Sequence, residues 1–173
     1  MSLEVLIEES ELAERVTELG ATIRRDFGAN PVHLVAVLKG AFVFLADLMR
    51  AIDAPVTCDF IAVSSYGSSD RSSGEVRLTK DVDRSLKGRD VIIVEDIVDT
   101  GLTLAYLQDI LRAREPQSLR TACLLSKPSR RLRQVDVEYI GFTIEDKFVV
   151  GYGLDFNEQH RNLPYVAVLG KDE

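Results

Sequence analysis

The stretch that most constrains the fold is Val91-Ile92-Ile93-Val94-Glu95-Asp96-Ile97-Val98-Asp99-Thr100-Gly101-Leu102-Thr103-Leu104. Its four leading β-branched aliphatics are the pattern of a strand buried on both faces. Two adjacent carboxylates follow, then Asp99, then Thr-Gly-Leu-Thr. Beyond Leu102 the residues Leu104, Leu107, Ile110 and Leu111 fall on one stripe of a helix. The unit reads as strand, acidic loop with glycine, helix. In a parallel α/β sheet such a loop lies at the carboxyl end of a strand, where these folds bind ligands.

The chemistry of that loop suits a sugar phosphate. A helix starting after Gly101 offers unpaired N–H groups and the positive end of its dipole to a phosphate monoester. Thr100 and Thr103 can add hydroxyl donors, and Gly101 lets the backbone approach closely. Glu95 and Asp96 would repel a phosphate unless something hydroxylic or cationic lies between. Ribose hydroxyls and hydrated Mg²⁺ both meet that need. The plainer account, a solvated loop whose acids cap a helix, covers Asp99 alone but not the whole run.

Composition narrows the classes. At 173 residues, 46% hydrophobic and 28% charged, the chain reads as one globular domain spanning 1–173. The net charge of −7 argues against general nucleic-acid binding. No apolar run reaches the roughly 18 residues of a membrane span, and the amino terminus lacks a basic, apolar leader, so a cytoplasmic protein is expected. Cys58 and Cys123 lie in apolar runs far apart and are expected as two buried free thiols.

The rest of the chain repeats the strand–loop–helix theme. After a strand at Val5-Leu6-Ile7, Ser10 is read as the cap of a helix with Glu11 and Glu14 in its first turn. Leu12, Val16, Leu19 and Ile23 mark its buried stripe, and Gly28 to Pro31 ends it. A strand Val32 to Leu38 then runs through Lys39-Gly40-Ala41 into a helix Phe42 to Ala51. This makes a second candidate anion site, although Lys-Gly after a strand is by itself an ordinary turn. His33 reads as a packed core or edge residue.

A strand Val56 to Val63 leads into the long polar loop Ser64 to Gly74, and Val76 to Lys80 alternates like a returning strand. Leu119 to Leu125 forms another strand, ending at Ser126-Lys127-Pro128, and Arg130-Arg131-Leu132-Arg133 reads as solvated loop surface. Short strands at Tyr139 to Phe142 and Tyr165 to Leu169 flank the string Asp146-Lys147-Phe148-Val149-Val150-Gly151-Tyr152-Gly153-Leu154-Asp155. Phe148 offers a face on which a planar base can stack, although an aromatic beside valines is usually core.

Four of these stretches, in order along the chain, resemble the type I phosphoribosyltransferases. Val91 to Leu104 resembles their phosphoribosyl-pyrophosphate signature, and Asp99 within it resembles the 6-oxopurine, hypoxanthine-guanine branch. Leu38-Lys39-Gly40-Ala41 resembles the pyrophosphate loop, with Ala41 a small departure from the usual Gly or Ser. Ser64-Ser65-Tyr66-Gly67 resembles the catalytic lid, and the string from Asp146 through Asp155 to Arg161 resembles the base-binding segment.

The resemblance implies a fold and a set of roles. The fold would be an α/β core over about 30–145, a central parallel sheet of about five strands flanked by helices, with a small hood from the amino-terminal segment and about 146–173. Lys39, Gly40 and Arg161 would bind pyrophosphate, and the Leu38–Lys39 peptide can be cis. Glu95 and Asp96 would hold the ribose hydroxyls and, with Asp155, would hold Mg²⁺. Asp99, Thr100, Gly101, Leu102 and Thr103 would cradle the 5′-phosphate. Lys127 would donate to the purine 6-oxo group, while Phe148 and Val149 would hold the base. Ser65 and Tyr66 would close over the reaction. Asp99 is the catalytic candidate, placed to exchange a proton with purine N7.

The implied activity is purine salvage: Mg-dependent transfer of the phosphoribosyl group from phosphoribosyl pyrophosphate to hypoxanthine or guanine, giving IMP or GMP and pyrophosphate. A homodimer or homotetramer is expected from the apolar stretch Phe42 to Met49. The alternatives are a xanthine- or guanine-preferring enzyme and a non-catalytic nucleotide sensor of the same fold. An aspartic protease would share Asp-Thr-Gly but not the preceding acids and following helix; a receiver domain would lack Thr-Gly-x-Thr.

Overall fold

The structure, a computed structural model, describes residues 1–65 and 76–170, with Ser65 described in its backbone alone. Tyr66 and the rest of the lid segment to residue 75 lie outside the described residues.

Among the described residues nine strands fall into two sheets. The larger has the order β4-β3-β2-β5-β6-β7, formed by Val76–Lys80, Val56–Ser65, Val32–Val37, Asp90–Val98, Ser118–Ser126 and Tyr139–Thr143. Every neighbouring pair is parallel except β3 and β4, so a parallel core of five strands carries one antiparallel edge. β2 is buried along its whole length, as a strand covered on both faces must be. Leu34, Ala36, Ile92 and Val94 face one hydrophobic cluster, with helices α1 (Glu9–Phe27) and α2 (Phe42–Ala51). Val35, Val37, Val91 and Ile93 face a second cluster, with α3 (Leu102–Arg112). The alternation follows from the two-residue period of a strand.

The smaller sheet joins the two ends of the chain. β1 (Leu3–Ile7) pairs antiparallel with β9 (Val166–Leu169), which pairs with β8 (Val149–Val150). Among the described residues no helix is long and apolar enough to cross a membrane.

Several local expectations shift. Helix α1 begins at Glu9 with Glu8 as its cap, not Ser10, because Glu8 N–H donates to Glu11 Oε2 at 2.8 Å. Strand β5 does not end at Val94 but continues through Glu95 and Asp96 to Val98. Cys123 is buried as expected, whereas Cys58 is exposed near the amino end of β3.

Candidate active site

The carboxyl ends of β2, β5 and β6 line up along one edge of the sheet, and each leads into one of the singled-out loops. After β2 the Leu38–Lys39 peptide is cis and Phe42 N–H donates to Lys39 O at 3.2 Å, closing a tight turn into α2. A Cβ on Gly40 would overlap the Asp96 carboxylate, and one on Gly153 would overlap the Gly40 carbonyl. Gly153 also has φ +98°, a conformation open to glycine. The Gly40 loop, the end of β5 and the 151–155 segment therefore interlock with no room for side chains between them.

Glu95 and Asp96 are neighbours in sequence but lie on opposite faces of β5. Asp96 faces the Gly40 loop, while Glu95 lines a cavity of about 90 Å³ with Asp99, Thr100, Gly101 and Thr103 at the start of α3. Burial pushes the Glu95 carboxyl well above the usual carboxylate range, and the neighbouring Asp96 pushes it further. Asp96 is pushed up to about 6, first by burial; the Ile97 N–H and the Arg161 guanidinium pull it back, and Asp155 raises it. Two desolvated acids are thus short of positive charge.

The cradle at α3 is tied from behind. Gly101, at φ +85°, caps the helix, and a Cβ there would collide with Arg133 O. Leu132 and Arg133 N–H groups donate to Thr100 O at 2.9 and 3.1 Å. Arg131 Nη1 donates to Val98 O and Asp99 O, each at 2.7 Å, and Nη2 to Ser126 Oγ at 2.9 Å. Arg130, Leu132 and Arg133 are exposed, as expected of solvated loop surface, but Arg131 is half-buried and laces the end of β6 to the loop after β5. A run of arginines beside a strand end was its only sequence signal.

Lys127, directly after β6, is almost wholly buried, with Nζ 3.6 Å from Asp146. Arg130 Nε donates to Asp99 Oδ1 at 3.0 Å, and its Nη1 lies 3.7 Å from Asp146. Phe148 keeps 53% of its surface exposed and meets Phe156 edge to face at 5.7 Å between centroids, while Val149 is buried. A half-exposed Phe148 and a buried Lys127 are both departures from an ordinary core arrangement.

On the other side Arg161 Nη2 lies 3.3 Å from Asp155 and 3.1 Å from Glu158, and Lys39 Nζ lies 3.0 Å from Glu158. Arg161 Nη1 donates to Gly153 O at 2.8 Å, and Nε is buried without a hydrogen-bond partner among the described residues. Lys39, Gly40, Asp96, Asp155 and Arg161 are thus brought together, as are Glu95 with 99–103, and Lys127 with Phe148's segment through Asp146. Sequence reasoning assigned no role to Arg130, Arg131, Asp146 or Glu158.

A parallel sheet with a glycine-capped helix start, an acidic strand end and a cationic loop at one edge defines the class, and comparison with known proteins agrees. The phosphoribosyl transferase domain family matches residues 6–157. The hypoxanthine-guanine phosphoribosyltransferase of Bacillus subtilis (strain 168) is 48% identical over 165 residues, covering 95% of this chain and 92% of the relative. The hypoxanthine phosphoribosyltransferase of Haemophilus influenzae is 46% identical over 174 residues, covering 99% and 97%. A solved hypoxanthine-guanine phosphoribosyltransferase of Bacillus anthracis, with a HEPES molecule in its active site, superposes with a TM-score of 0.93 at 48% identity. It covers 96% of this chain and 98% of that one. The chain belongs to the phosphoribosyltransferase family, within its hypoxanthine-guanine branch.

Proposed function

We propose that this chain transfers the 5-phosphoribosyl group of phosphoribosyl pyrophosphate to N9 of hypoxanthine or guanine, releasing pyrophosphate with IMP or GMP. The observation that supports this most is the order of charges along the sheet edge. Lys39, bridged to Arg161, follows β2 at one end, the acids of β5 stand in the middle with the Asp99–Thr103 loop, and Lys127 follows β6 at the other, tied through Asp146 to the segment that carries Phe148. That order suits a pyrophosphate, a ribose phosphate and a planar base in turn.

Departure of pyrophosphate from C1 leaves an oxocarbenium-like ribosyl, which N9 attacks from the opposite face. Lys39 and Arg161 receive the negative charge that gathers on the leaving group. Glu95 and Asp96 accept from the ribose hydroxyls, and backbone N–H groups of 100–103 with the Thr100 and Thr103 hydroxyls hold the 5′-phosphate. Leu102 contributes through its backbone alone. Lys127 donates to the 6-oxo group, a contact that a 6-amino base cannot return. Phe148 stacks on the ring, Val149 reads its edge, and Asp99 exchanges the proton at N7. Ser65 and Tyr66 are assigned to the closing lid.

Magnesium fits this donor set. Glu95, Asp96 and Asp155 are hard oxygen ligands, and the raised affinity of the first two for protons marks a deficit that a divalent cation would fill. Among the described residues no group of three His, Cys, Asp or Glu forms a protein cage, and a cation shared with phosphate oxygens and water needs none. When bound, magnesium would neutralise charge on the departing pyrophosphate.

A cytoplasmic homodimer or homotetramer completes the reading. Phe42 is 44% exposed beside an apolar cleft of about 460 Å³ that includes Leu12, Val43, Tyr152 and Leu163. Sedimentation at a mass above the 19.3 kDa of one chain is the expected result.

The test of function is turnover with phosphoribosyl pyrophosphate, Mg²⁺ and each base separately. Rapid nucleotide formation with hypoxanthine and guanine, little with adenine and none without Mg²⁺ is expected. Turnover with xanthine alone would move the assignment to that base; nucleotide binding without turnover on any base would leave a sensor.

A further inference from the structure

Lys39 and Arg161, 122 positions apart in sequence, are bridged by one carboxylate. Glu158 Oε2 lies 3.0 Å from Lys39 Nζ, and Glu158 Oε1 lies 3.1 Å from Arg161 Nη2. Each oxygen takes one cation. Among the described residues Lys39 has no other ion pair.

Glu158 is held there by an irregular turn. Asn157, Glu158 and His160 have φ of +50°, +64° and +75°, a region that costs a non-glycine residue about 1–2 kcal/mol. Reciprocal N–H···O bonds between Phe156 and Gln159, at 3.1 and 3.0 Å, close the turn, and Glu158 N–H donates to Asp155 Oδ2 at 2.8 Å. The Glu158 side chain is 64% exposed, so packing does not explain a backbone bent against its preference. What the bent turn achieves is to aim one anion at two cations.

We propose that Glu158 is a resident anion of the pyrophosphate subsite that sets its affinity. It keeps Lys39 and Arg161 facing one another in the ligand-free chain, swings aside when the two phosphoryl groups enter, and competes for the cations as pyrophosphate leaves. The proposal rests on the assignment of Lys39 and Arg161 to pyrophosphate made above. Exposed ion pairs are individually weak, so the competition is modest.

Calorimetric titration of the full chain and of Glu158→Gln with pyrophosphate and Mg²⁺, and separately with GMP, tests it. The variant is expected to bind pyrophosphate about 3- to 10-fold more tightly, with GMP affinity unchanged. The KM for phosphoribosyl pyrophosphate should fall by a similar factor while that for guanine stays put. Unchanged or weaker pyrophosphate binding with GMP binding intact would overturn the proposal. A variant that loses both ligands has lost its turn, and Glu158→Ser is then held to the same expectation. If the parent chain binds GMP but not pyrophosphate, the assignment of Lys39 and Arg161 itself falls, and the proposal with it.

Discussion

Asp99 stands on the loop directly after β5, where Arg130 Nε holds its Oδ1 at 3.0 Å. That bond orients the carboxylate without burying it, so the residue can be changed with little consequence for packing. Asp99→Asn keeps the shape and the acceptor oxygen but removes the site that takes a proton. Turnover is expected to drop by about 10²- to 10⁴-fold, the usual contribution of a positioned acid–base group. Stability should stay within about 0.5 kcal/mol, as for a surface substitution. Steady-state rates beside a thermal melt check both, and unchanged turnover would remove Asp99 from the proton exchange.

At the scale of elements, the loop proposed as the phosphate cradle is held from outside its own segment. The start of α3 relies on Gly101 at φ +85°, and the loop before it relies on Arg131, whose guanidinium takes the carbonyls of Val98 and Asp99 and the Ser126 hydroxyl. Charged donors to backbone acceptors are worth about 1.5–3 kcal/mol each way when removed, since the acceptors are left without partners. Arg131→Met is therefore expected to lower stability by about 2–3 kcal/mol. It should also weaken GMP binding, while affinity for free pyrophosphate at the Lys39 side stays near that of the parent. Chemical denaturation and paired titrations separate the two effects.

For the whole molecule, the site stores electrostatic tension. The Asp96 carboxyl is pushed up to about 6 from an ordinary 3.8, and Glu95 is pushed up as well. A folded-state value above the unfolded one means the folded chain binds the extra proton, so stability is highest below the unfolded value and falls as pH rises through the folded one. In ligand-free protein in metal-free buffer these two acids should therefore cost on the order of 1–3 kcal/mol between about pH 4 and pH 6, read as the difference between the parent and Asp96→Asn. Asp96→Asn should flatten that fall and melt higher than the parent at neutral pH, while weakening ribose and metal binding. Melting curves across this pH range give the answer. A parent curve that rises between pH 4 and 6 with no difference from the variant would show that these acids are not under tension.

Much of this was legible along the chain because strands and helices announce themselves locally. Val91 to Val94 and Val32 to Val37 are aliphatic runs that only a doubly covered strand can bury, and Leu104, Leu107 and Leu111 mark the helix that covers one face. The loops between them follow, and with them the residues proposed to carry the chemistry. Local pattern also misled where burial depends on neighbours: Cys58 sits in an apolar run yet is exposed, and β5 carries two acids inside its last turns of pleat. Only the tertiary structure sent Glu95 and Asp96 to opposite faces and fitted Gly40 between Asp96 and the Gly153 loop. It alone joined β1 to β9 across the length of the chain, and brought Glu158 to Lys39 and Arg131 to Val98. Periodicity records which face a residue buries, a property of its immediate neighbours. Which charge meets which across a hundred residues is decided by how the buried faces stack, and no local pattern carries that.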